Sequence, residues 1–202
     1  MESPLRERSH QPGLKLIETL LWDGKTAPRW PLHHARLTRS AALLGWACPK
    51  THPQGPAHPA RLRLTLDASG QLDWQTHPLP PTTSEWRLGL AAQTLTSTDP
   101  WLTIKSTNRA AYDHARATLP DTLDEVIFTN ERGEVCDGSI TTLFFDRGQG
   151  LRTPPLTCGL LPGVLRAEMA CPEEILLAKD LPNTRLWVGN ALRGLIPARW
   201  TG

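Results

Sequence analysis

The stretch from Trp101 to Tyr112 has the sequence Trp-Leu-Thr-Ile-Lys-Ser-Thr-Asn-Arg-Ala-Ala-Tyr. Its apolar first part predicts a short strand. The Ser, Thr and Asn residues after Lys105 are preferred at helix N-termini, so we expect a helix over 110–119. An amine at such a strand-to-helix corner loses hydration, which lowers its pKa and lets its neutral form attack an aldehyde. Lys105 is therefore a candidate reactive group, although a lysine at a strand end can also keep its charge in water.

Length and charge exclude several classes of protein. The chain has 202 residues, enough for one domain or two small ones with a sizeable core. Its net charge is only +2 and it has no block of basic residues, so we expect no nucleic-acid partner. No apolar run approaches a membrane span, and the polar N-terminal residues lack the core of a signal peptide. We expect a soluble cytoplasmic protein without a membrane partner.

The cysteines and histidines give no metal signature. The four cysteines are widely spaced and include no Cys-x-x-Cys pair, and the seven histidines show no zinc-ligand spacing. We expect no metal, and reduced thiols that pack as small hydrophobic groups. The cysteines are Cys48, Cys136, Cys158 and Cys171.

The N-terminal half predicts two β-hairpins. Residues 14–22 are mainly apolar and predict a strand, Asp23-Gly24 is a strong turn signal, and residues 25–30 predict the returning strand. Polar and apolar residues alternate over 61–66, and a turn then leads into a further strand over 71–76.

A helix is predicted between these hairpins. Pro31 is typical of a first helical turn, apolar or small residues then recur at helical spacing, and Gly45 is typical of a helix end. Arg36 lies within this helix. Its guanidinium is either solvated or a bidentate ligand for an anion, and the composition of the helix fits both interpretations.

A proline-rich segment, His-Pro-Leu-Pro-Pro over residues 77–81, separates the two halves. Proline has no N–H to donate and restricts the residue before it, so this segment cannot join a regular element. It predicts a linker, with a smaller domain over 1–80 and a larger one over 81–202.

The C-terminal half predicts mostly strands. Residues 86–95 and 124–129 predict two of them, a turn leads into a returning strand over 134–145, and a late strand covers 185–188.

Two glycine turns in this half are candidate anion sites. Gly163 precedes a short helix, where backbone N–H groups meet no side chain and the helix dipole favours negative charge. The turn Gly189-Asn190-Ala191 offers further donors. Gly163 can equally serve only to turn the chain.

Separated motifs over nearly the whole chain point to one family. In order they are Glu18-Thr19-Leu20 with Asp23-Gly24, His33-His34-Ala35-Arg36-Leu37, Lys105-Ser106-Thr107-Asn108-Arg109, Thr129-Asn130 with Gly133-Glu134-Val135 and Asp137, Thr153-Pro154, Gly159 to Arg166, and Gly189 to Pro197. In this combination the chain resembles the fold-type-IV pyridoxal-phosphate enzymes. This class IV aminotransferase family includes branched-chain and D-amino-acid transaminases and 4-amino-4-deoxychorismate lyase.

The resemblance implies a role for each candidate residue. Lys105 matches the lysine that holds pyridoxal phosphate as a Schiff base and later moves protons at the substrate carbon. Arg36 matches the phosphate-binding arginine, and Gly163-Val164 and Asn190-Ala191 match turns whose N–H groups bind the phosphate. Tyr112, two helical turns beyond the lysine, is predicted to be a core residue rather than a cofactor contact.

Asp137 falls where the family usually has a glutamate that bonds the pyridine nitrogen and makes the ring an electron sink. Aspartate is one methylene shorter, and Thr142 replaces an asparagine common five positions further on. Glu134 is an alternative carboxylate, but three residues along a regular strand place it on the opposite face. We therefore prefer Asp137.

The resemblance also implies the fold and the activity. We expect an α/β (α+β) protein with a small N-terminal domain, a larger barrel-like C-terminal domain, cofactor between them, and a homodimer. The motifs over 105–109 and 190–192 are more similar to the lyase branch, which releases 4-aminobenzoate and pyruvate in folate biosynthesis. A class IV transaminase acting on a small amine is the alternative, and a non-catalytic relative is a third.

Overall fold

The structure is a computed structural model that describes residues 4–202. It contains two compact units. The first comprises residues 4–81 and Ile104–Asn108, and the second comprises Thr82–Thr103 and Arg109–Gly202. The domain limits 1–80 and 81–202 remain a prediction, and residues 1–3 of the first domain lie outside the described part of the chain.

The first unit contains a three-stranded antiparallel sheet and one long helix. Its elements are α1 (Pro4–Glu7), β1 (Lys15–Trp22), α2 (Trp30–Leu44), β2 (Ala60–Asp67) and β3 (Leu72–His77). In this sheet β2 lies between β1 and β3. Lys15 faces Asp67 and Trp22 faces Ala60, so β1 and β2 pair along their full length.

The predicted helix is confirmed. Pro31 lies in the first turn of α2, and Gly45 ends it in the left-handed conformation with φ 75°, which glycine adopts without steric cost. Leu37, Ala41 and Leu44 are buried on one face, as their spacing requires for a helix that packs against a sheet.

The returning strand predicted over 25–30 is wrong. Asp23 accepts hydrogen bonds from the N–H groups of Lys25 and Thr26 at 2.8 and 2.7 Å, which closes a local turn. Pro28 has no N–H for a sheet ladder. The antiparallel partner of β1 is β2, which follows α2 in the chain.

The second unit contains a six-stranded sheet with short helices around it. Its elements are β4 (Trp86–Leu90), α3 (Ala110–Ala117), β5 (Glu125–Thr129), β6 (Val135–Gly138), β7 (Thr142–Asp146), α4 (Val164–Met169), β8 (Arg185–Asn190) and β9 (Gly194–Trp200), with 3₁₀ helices at Pro100–Thr103, Leu156–Cys158 and Ala178–Asn183. The strand order is β6-β5-β4-β9-β8-β7. Strand β4 is parallel to both of its neighbours, and the other pairs are antiparallel.

The two ends of this sheet come close together. Strands β6 and β7 are first and last in the order, yet three residues connect them and they contact each other. The sheet is therefore nearly closed, and the predicted α/β fold with a barrel-like sheet is confirmed. Its core contains apolar side chains from β4 to β9, including Trp86, Ile127, Leu143, Val188 and Ile196.

Two strand predictions before α3 need correction. The segment before Lys105 is a 3₁₀ helix, because Asp99 accepts the Trp101 N–H at 2.9 Å and starts a tight turn. The strand predicted over 86–95 ends at Leu90.

The strand predicted over 134–145 is two strands, β6 and β7. The Glu125 carboxylate accepts hydrogen bonds from the N–H groups of Ser139 and Ile140, so these two groups are bonded to a side chain rather than to a neighbouring strand. The sequence analysis also missed β9, which contains Pro197 and lies between β4 and β8.

Candidate active site

Lys105 is held by its backbone against β1. Its carbonyl accepts a hydrogen bond from the Ile17 N–H at 2.8 Å, and Ser106 forms an antiparallel bridge with Leu16. Ser106 is buried and Lys105 is partly exposed. The backbone of Lys105 is thus fixed to β1, and the residue itself lies outside any helix.

Arg36 lies on the buried face of α2, where it pairs with Glu18 of β1. Arg36 Nε donates to Glu18 Oε1 at 2.9 Å, and Arg36 Nη2 donates to Glu18 Oε2 at 2.5 Å. His33, one helical turn earlier, bonds Glu18 Oε2 through Nδ1 at 2.6 Å. All three side chains are at least nine-tenths buried. Arg36 is therefore fixed by a buried carboxylate.

The charge of Glu18 is stabilised by its partners. Burial alone disfavours a carboxylate, but the Arg36 guanidinium and the His33 hydrogen bond outweigh that cost and lower the pKa of Glu18 to about 2. His33 Nε2 has no hydrogen-bond partner within the described residues, although it is buried. It is a polar atom available to a further group.

Glu18 and His33 have no role predicted from the sequence. Two signals point to them in retrospect. Glu18 is an acidic residue inside an otherwise apolar strand, and His33 and Arg36 have the i, i+3 spacing that places them on one helix face. Lys105 and Arg36 are thereby anchored at adjacent positions of one strand, Ile17 and Glu18.

In the second unit, the two predicted donor turns lie side by side. A Cβ on Gly163 would lie 2.6 Å from Thr142 Oγ1, so the start of α4 packs directly on β7. Thr142 pairs with Gly189 of β8. A Cβ on Gly189 would lie 2.6 Å from Leu165 Cδ2, which brings the end of β8 against the same helix. The absence of both Cβ atoms permits this close approach.

Asn190 shapes the second turn with its side chain. Its Oδ1 accepts hydrogen bonds from the N–H groups of Leu192 and Arg193 at 3.1 and 3.0 Å. Its Nδ2 donates to the Ile140 carbonyl at 3.1 Å. Ala191 is buried within this turn. Asn190 therefore connects the turn to the loop between β6 and β7.

Asp137 is buried on β6 and accepts a hydrogen bond on each carboxylate oxygen. The Leu161 N–H donates to Oδ2 at 3.2 Å, and the Tyr112 hydroxyl donates to Oδ1 at 3.3 Å. Glu134, the alternative carboxylate, instead pairs with Arg132 at 2.6 Å. Leu161 therefore contacts Asp137, and three residues later Val164 begins α4.

Glu125, a further residue with no role predicted from the sequence, is fully buried at the start of β5. Its carboxylate accepts hydrogen bonds from the Ser139 N–H and hydroxyl, the Ile140 N–H and the Thr141 hydroxyl, at 2.5 to 3.2 Å. These residues form the loop between Asp137 and Thr142. No pattern in the sequence indicates a buried acid at this position.

Other classes of site find no support in the described residues. No group of three or more His, Cys, Asp or Glu side chains within 4–202 is arranged to hold a metal ion. Over the same range, no helix combines the length and apolar character needed to cross a bilayer. None of the four cysteines forms a disulfide.

The groups that remain have distinct chemistry. Lys105 and Arg36 supply an amine and a guanidinium in the first unit. The second unit supplies the buried Asp137 carboxylate and two adjacent turns with backbone donors. Each of these groups has its own chemical complement: the amine suits an aldehyde, the guanidinium and the backbone donors suit an anion, and the carboxylate suits a basic nitrogen.

Comparison with known proteins supports the same chemistry. A family model described as amino-transferase class IV matches residues 15–200. The crystal structure of a candidate amino-acid aminotransferase from Mesorhizobium loti is 42% identical, with a TM-score of 0.87, and the match covers 93% of this chain and 100% of that one. A search of curated proteins gave no match.

More distant structures share the fold. The 4-amino-4-deoxychorismate lyase of Pseudomonas aeruginosa is 19% identical with a TM-score of 0.77, covering 92% of this chain and 82% of that one. The branched-chain aminotransferase of Thermoproteus uzoniensis is also 19% identical with a TM-score of 0.77, covering 100% and 82%. The protein belongs to the class IV aminotransferase family, a family of pyridoxal-phosphate-dependent enzymes.

Proposed function

We propose that this protein binds pyridoxal phosphate through Lys105. The donor set supports the proposal, because each polar part of the cofactor has a chemical complement. An amine suits its aldehyde, Arg36 and the turns at Gly163-Val164 and Asn190-Ala191 suit its phosphate, and the Asp137 carboxylate suits its ring nitrogen. The glycine contacts add support, since a Cβ at position 163 would meet Thr142 of β7 and one at position 189 would meet Leu165 of α4.

The cofactor, when bound, withdraws electrons from the carbon that carries the substrate amine. Lys105 would hold the cofactor through its aldehyde, and the Lys105 amine, once the substrate amine has taken its place, would accept the proton from the amine-bearing carbon. Asp137 would keep the ring nitrogen protonated, and Arg36 would hold the phosphate while Glu18 and His33 keep the guanidinium in place.

We further propose that the reaction is that of 4-amino-4-deoxychorismate lyase, a cytoplasmic step of folate biosynthesis. The observation that carries this choice is the Asn190 turn. Its Asn-Ala-Leu sequence is similar to the lyase branch, and the Asn190 side chain holds its geometry through three hydrogen bonds. In this reaction proton loss is followed by cleavage of the C–O bond at the neighbouring carbon. The three-carbon group leaves as enolpyruvate, which takes up a proton to become pyruvate, and the ring is left aromatic as 4-aminobenzoate.

Incubation of the cofactor-loaded protein with enzymatically generated 4-amino-4-deoxychorismate tests this proposal. We expect 4-aminobenzoate and pyruvate in equal amounts without any added keto acid, and neither product with Lys105→Ala. Absence of both products from protein that shows the absorption of lysine-bound cofactor would exclude the lyase reaction and leave the cofactor assignment intact.

An amino-acid transaminase is the second candidate, because the 42% identical Mesorhizobium loti protein is described as a candidate amino-acid aminotransferase. A transaminase returns a proton to the cofactor and releases a keto acid. Amino acids would then convert the bound cofactor to its amine form, and an added keto acid would restore the original absorption.

Family resemblance also supports a homodimer, which sedimentation equilibrium would test.

A further inference from the structure

Tyr112 contacts Asp137 inside the second unit. The Tyr112 hydroxyl donates to Asp137 Oδ1 at 3.3 Å. Burial, and then the neighbouring Asp137 carboxylate, raise the pKa of Tyr112 above its usual range, so the hydroxyl keeps its proton and remains a donor. The sequence analysis expected a core residue at this position, and the structure adds a polar contact to that packing.

The ring of Tyr112 is held on two sides. It meets Phe128 edge-on, with ring centroids 4.9 Å apart, and the Arg109 guanidinium lies over it at 5.4 Å from the centroid. Arg109 is fixed in turn by Asp113 at 2.7 Å and by the Ser139 carbonyl at 2.9 Å. The hydroxyl therefore reaches Asp137 from a ring with little freedom to move.

Two donors on opposite oxygens fix the plane of the Asp137 carboxylate. Tyr112 bonds Oδ1, and the Leu161 N–H bonds Oδ2 at 3.2 Å. Each carboxylate oxygen can accept more than one hydrogen bond, so a bond from Tyr112 or Leu161 does not by itself saturate either oxygen. Aspartate has one side-chain torsion fewer than glutamate, so a hydrogen bond on each oxygen is enough to fix the orientation of its carboxylate.

We propose that Tyr112 is a positioning residue that orients the Asp137 carboxylate toward the cofactor's ring nitrogen. This inference rests on the proposed function, since it assumes that Asp137 bonds that nitrogen. Tyr112 itself touches neither the cofactor nor the substrate in this assignment and acts only through Asp137.

A double-mutant cycle on the full chain tests the proposal. The dissociation constant of pyridoxal phosphate and the absorption spectrum of the bound cofactor are measured for wild type, Tyr112→Phe, Asp137→Asn and the double variant. Tyr112→Phe keeps the ring and removes only the hydroxyl. Thermal unfolding of each cofactor-free variant checks that the fold is retained. Ser97→Ala is the matched control, because it removes a hydroxyl that donates to a different carboxylate of the same unit, Glu131.

We expect Tyr112→Phe to weaken cofactor binding about three- to tenfold in wild type, the size of an ordinary single hydrogen bond, because Tyr112 acts on the cofactor only through Asp137. Tyr112→Phe should also shift the absorption spectrum of the bound cofactor in the same direction as Asp137→Asn. In the Asp137→Asn background it should change the dissociation constant by less than about twofold. The control Ser97→Ala should change neither quantity. Equal weakening in both backgrounds, or none in either, would overturn the role of Tyr112 alone. Failure of wild type to bind the cofactor would overturn the proposed function and this inference together.

Discussion

Arg36 and Glu18 form a bidentate ion pair in which both side chains are buried, with Nε to Oε1 at 2.9 Å and Nη2 to Oε2 at 2.5 Å. The pair joins α2 to β1. In the same strand Ile17, the residue before Glu18, donates its N–H to the Lys105 carbonyl. One strand thereby sets the positions of the predicted phosphate-binding arginine and the predicted reactive lysine.

Removing one charge of this pair should be costly. Glu18→Gln removes the negative charge that faces the buried Arg36 guanidinium, and we expect it to lower the free energy of unfolding by about 3 kcal/mol. Asp73→Asn, an exposed carboxylate of the same unit, should change it by less than about 0.5 kcal/mol. Urea denaturation measures both changes. Equal changes in the free energy of unfolding would show that the buried pair contributes no more to stability than an exposed carboxylate.

The same pair predicts a pH dependence. The folded pKa of Glu18 is about 2, below its ordinary value of 4.5, so its contribution to stability is fully present above pH 4.5. It should be lost as the pH falls from 4.5 towards 2, by about 3 kcal/mol in total. Denaturation midpoints between pH 6 and 2 for wild type and Glu18→Gln measure this. The variant should lose less stability over that range, and parallel curves would contradict the assignment.

Lys105→Ala should abolish covalent cofactor binding while the fold persists, because the structural contact with Ile17 uses the Lys105 backbone carbonyl. Borohydride reduction of loaded wild type followed by peptide mass spectrometry should place the cofactor on Lys105. Lys25→Ala, a lysine in the exposed turn after β1, is the control and should keep full labelling. Labelling of another lysine in wild type would refute the assignment.

Gly163→Ala should force the start of α4 away from β7, because the new methyl carbon would lie 2.6 Å from Thr142 Oγ1. We expect a loss of about 1–3 kcal/mol in unfolding free energy and weaker binding of inorganic phosphate. Gly163→Ala combined with Thr142→Ala removes the clashing oxygen and should recover most of the stability. A double variant no more stable than Gly163→Ala would argue against this clash.

Glu125→Gln should loosen the loop between β6 and β7. Glutamine keeps one acceptor oxygen, but its amide nitrogen is a donor, so it cannot accept the hydrogen bonds that one of the two Glu125 oxygens receives. The lost bonds are those from Ser139 on one oxygen, or those from Ile140 and Thr141 on the other. We expect a loss of about 3 kcal/mol and faster amide hydrogen exchange at Ser139 or Ile140. Glu85→Gln, in an exposed pair with Arg199, should change neither quantity measurably. Unchanged exchange in Glu125→Gln would contradict the loop assignment.

The sequence by itself determined the elements whose signals are local. Pro31 and Gly45 mark the helix α2, and alternating residues mark β2, because caps and periodicity depend only on neighbours along the chain. The order of short motifs also determined the family, since each motif is a set of adjacent residues. Lys105 and Arg36 became candidates by the same route.

Only the tertiary structure decided contacts between distant segments. The Glu125 bonds to residues 139–141, and the Tyr112 contact with Asp137, join positions at least 14 and 25 residues apart. Local propensity carries no information about such pairs. The break between β6 and β7 results from the first contact, because side-chain oxygens of Glu125 bond backbone N–H groups that a continuous strand would use.

The pairing of β1 with β2, across the whole of α2, was likewise decided by burial of their shared apolar face rather than by the Asp23-Gly24 turn signal. A turn signal shows that the chain reverses direction, and it does not identify the strand that pairs with β1. Long-range burial selected the partner strand and, with it, the surroundings of Arg36 and Lys105.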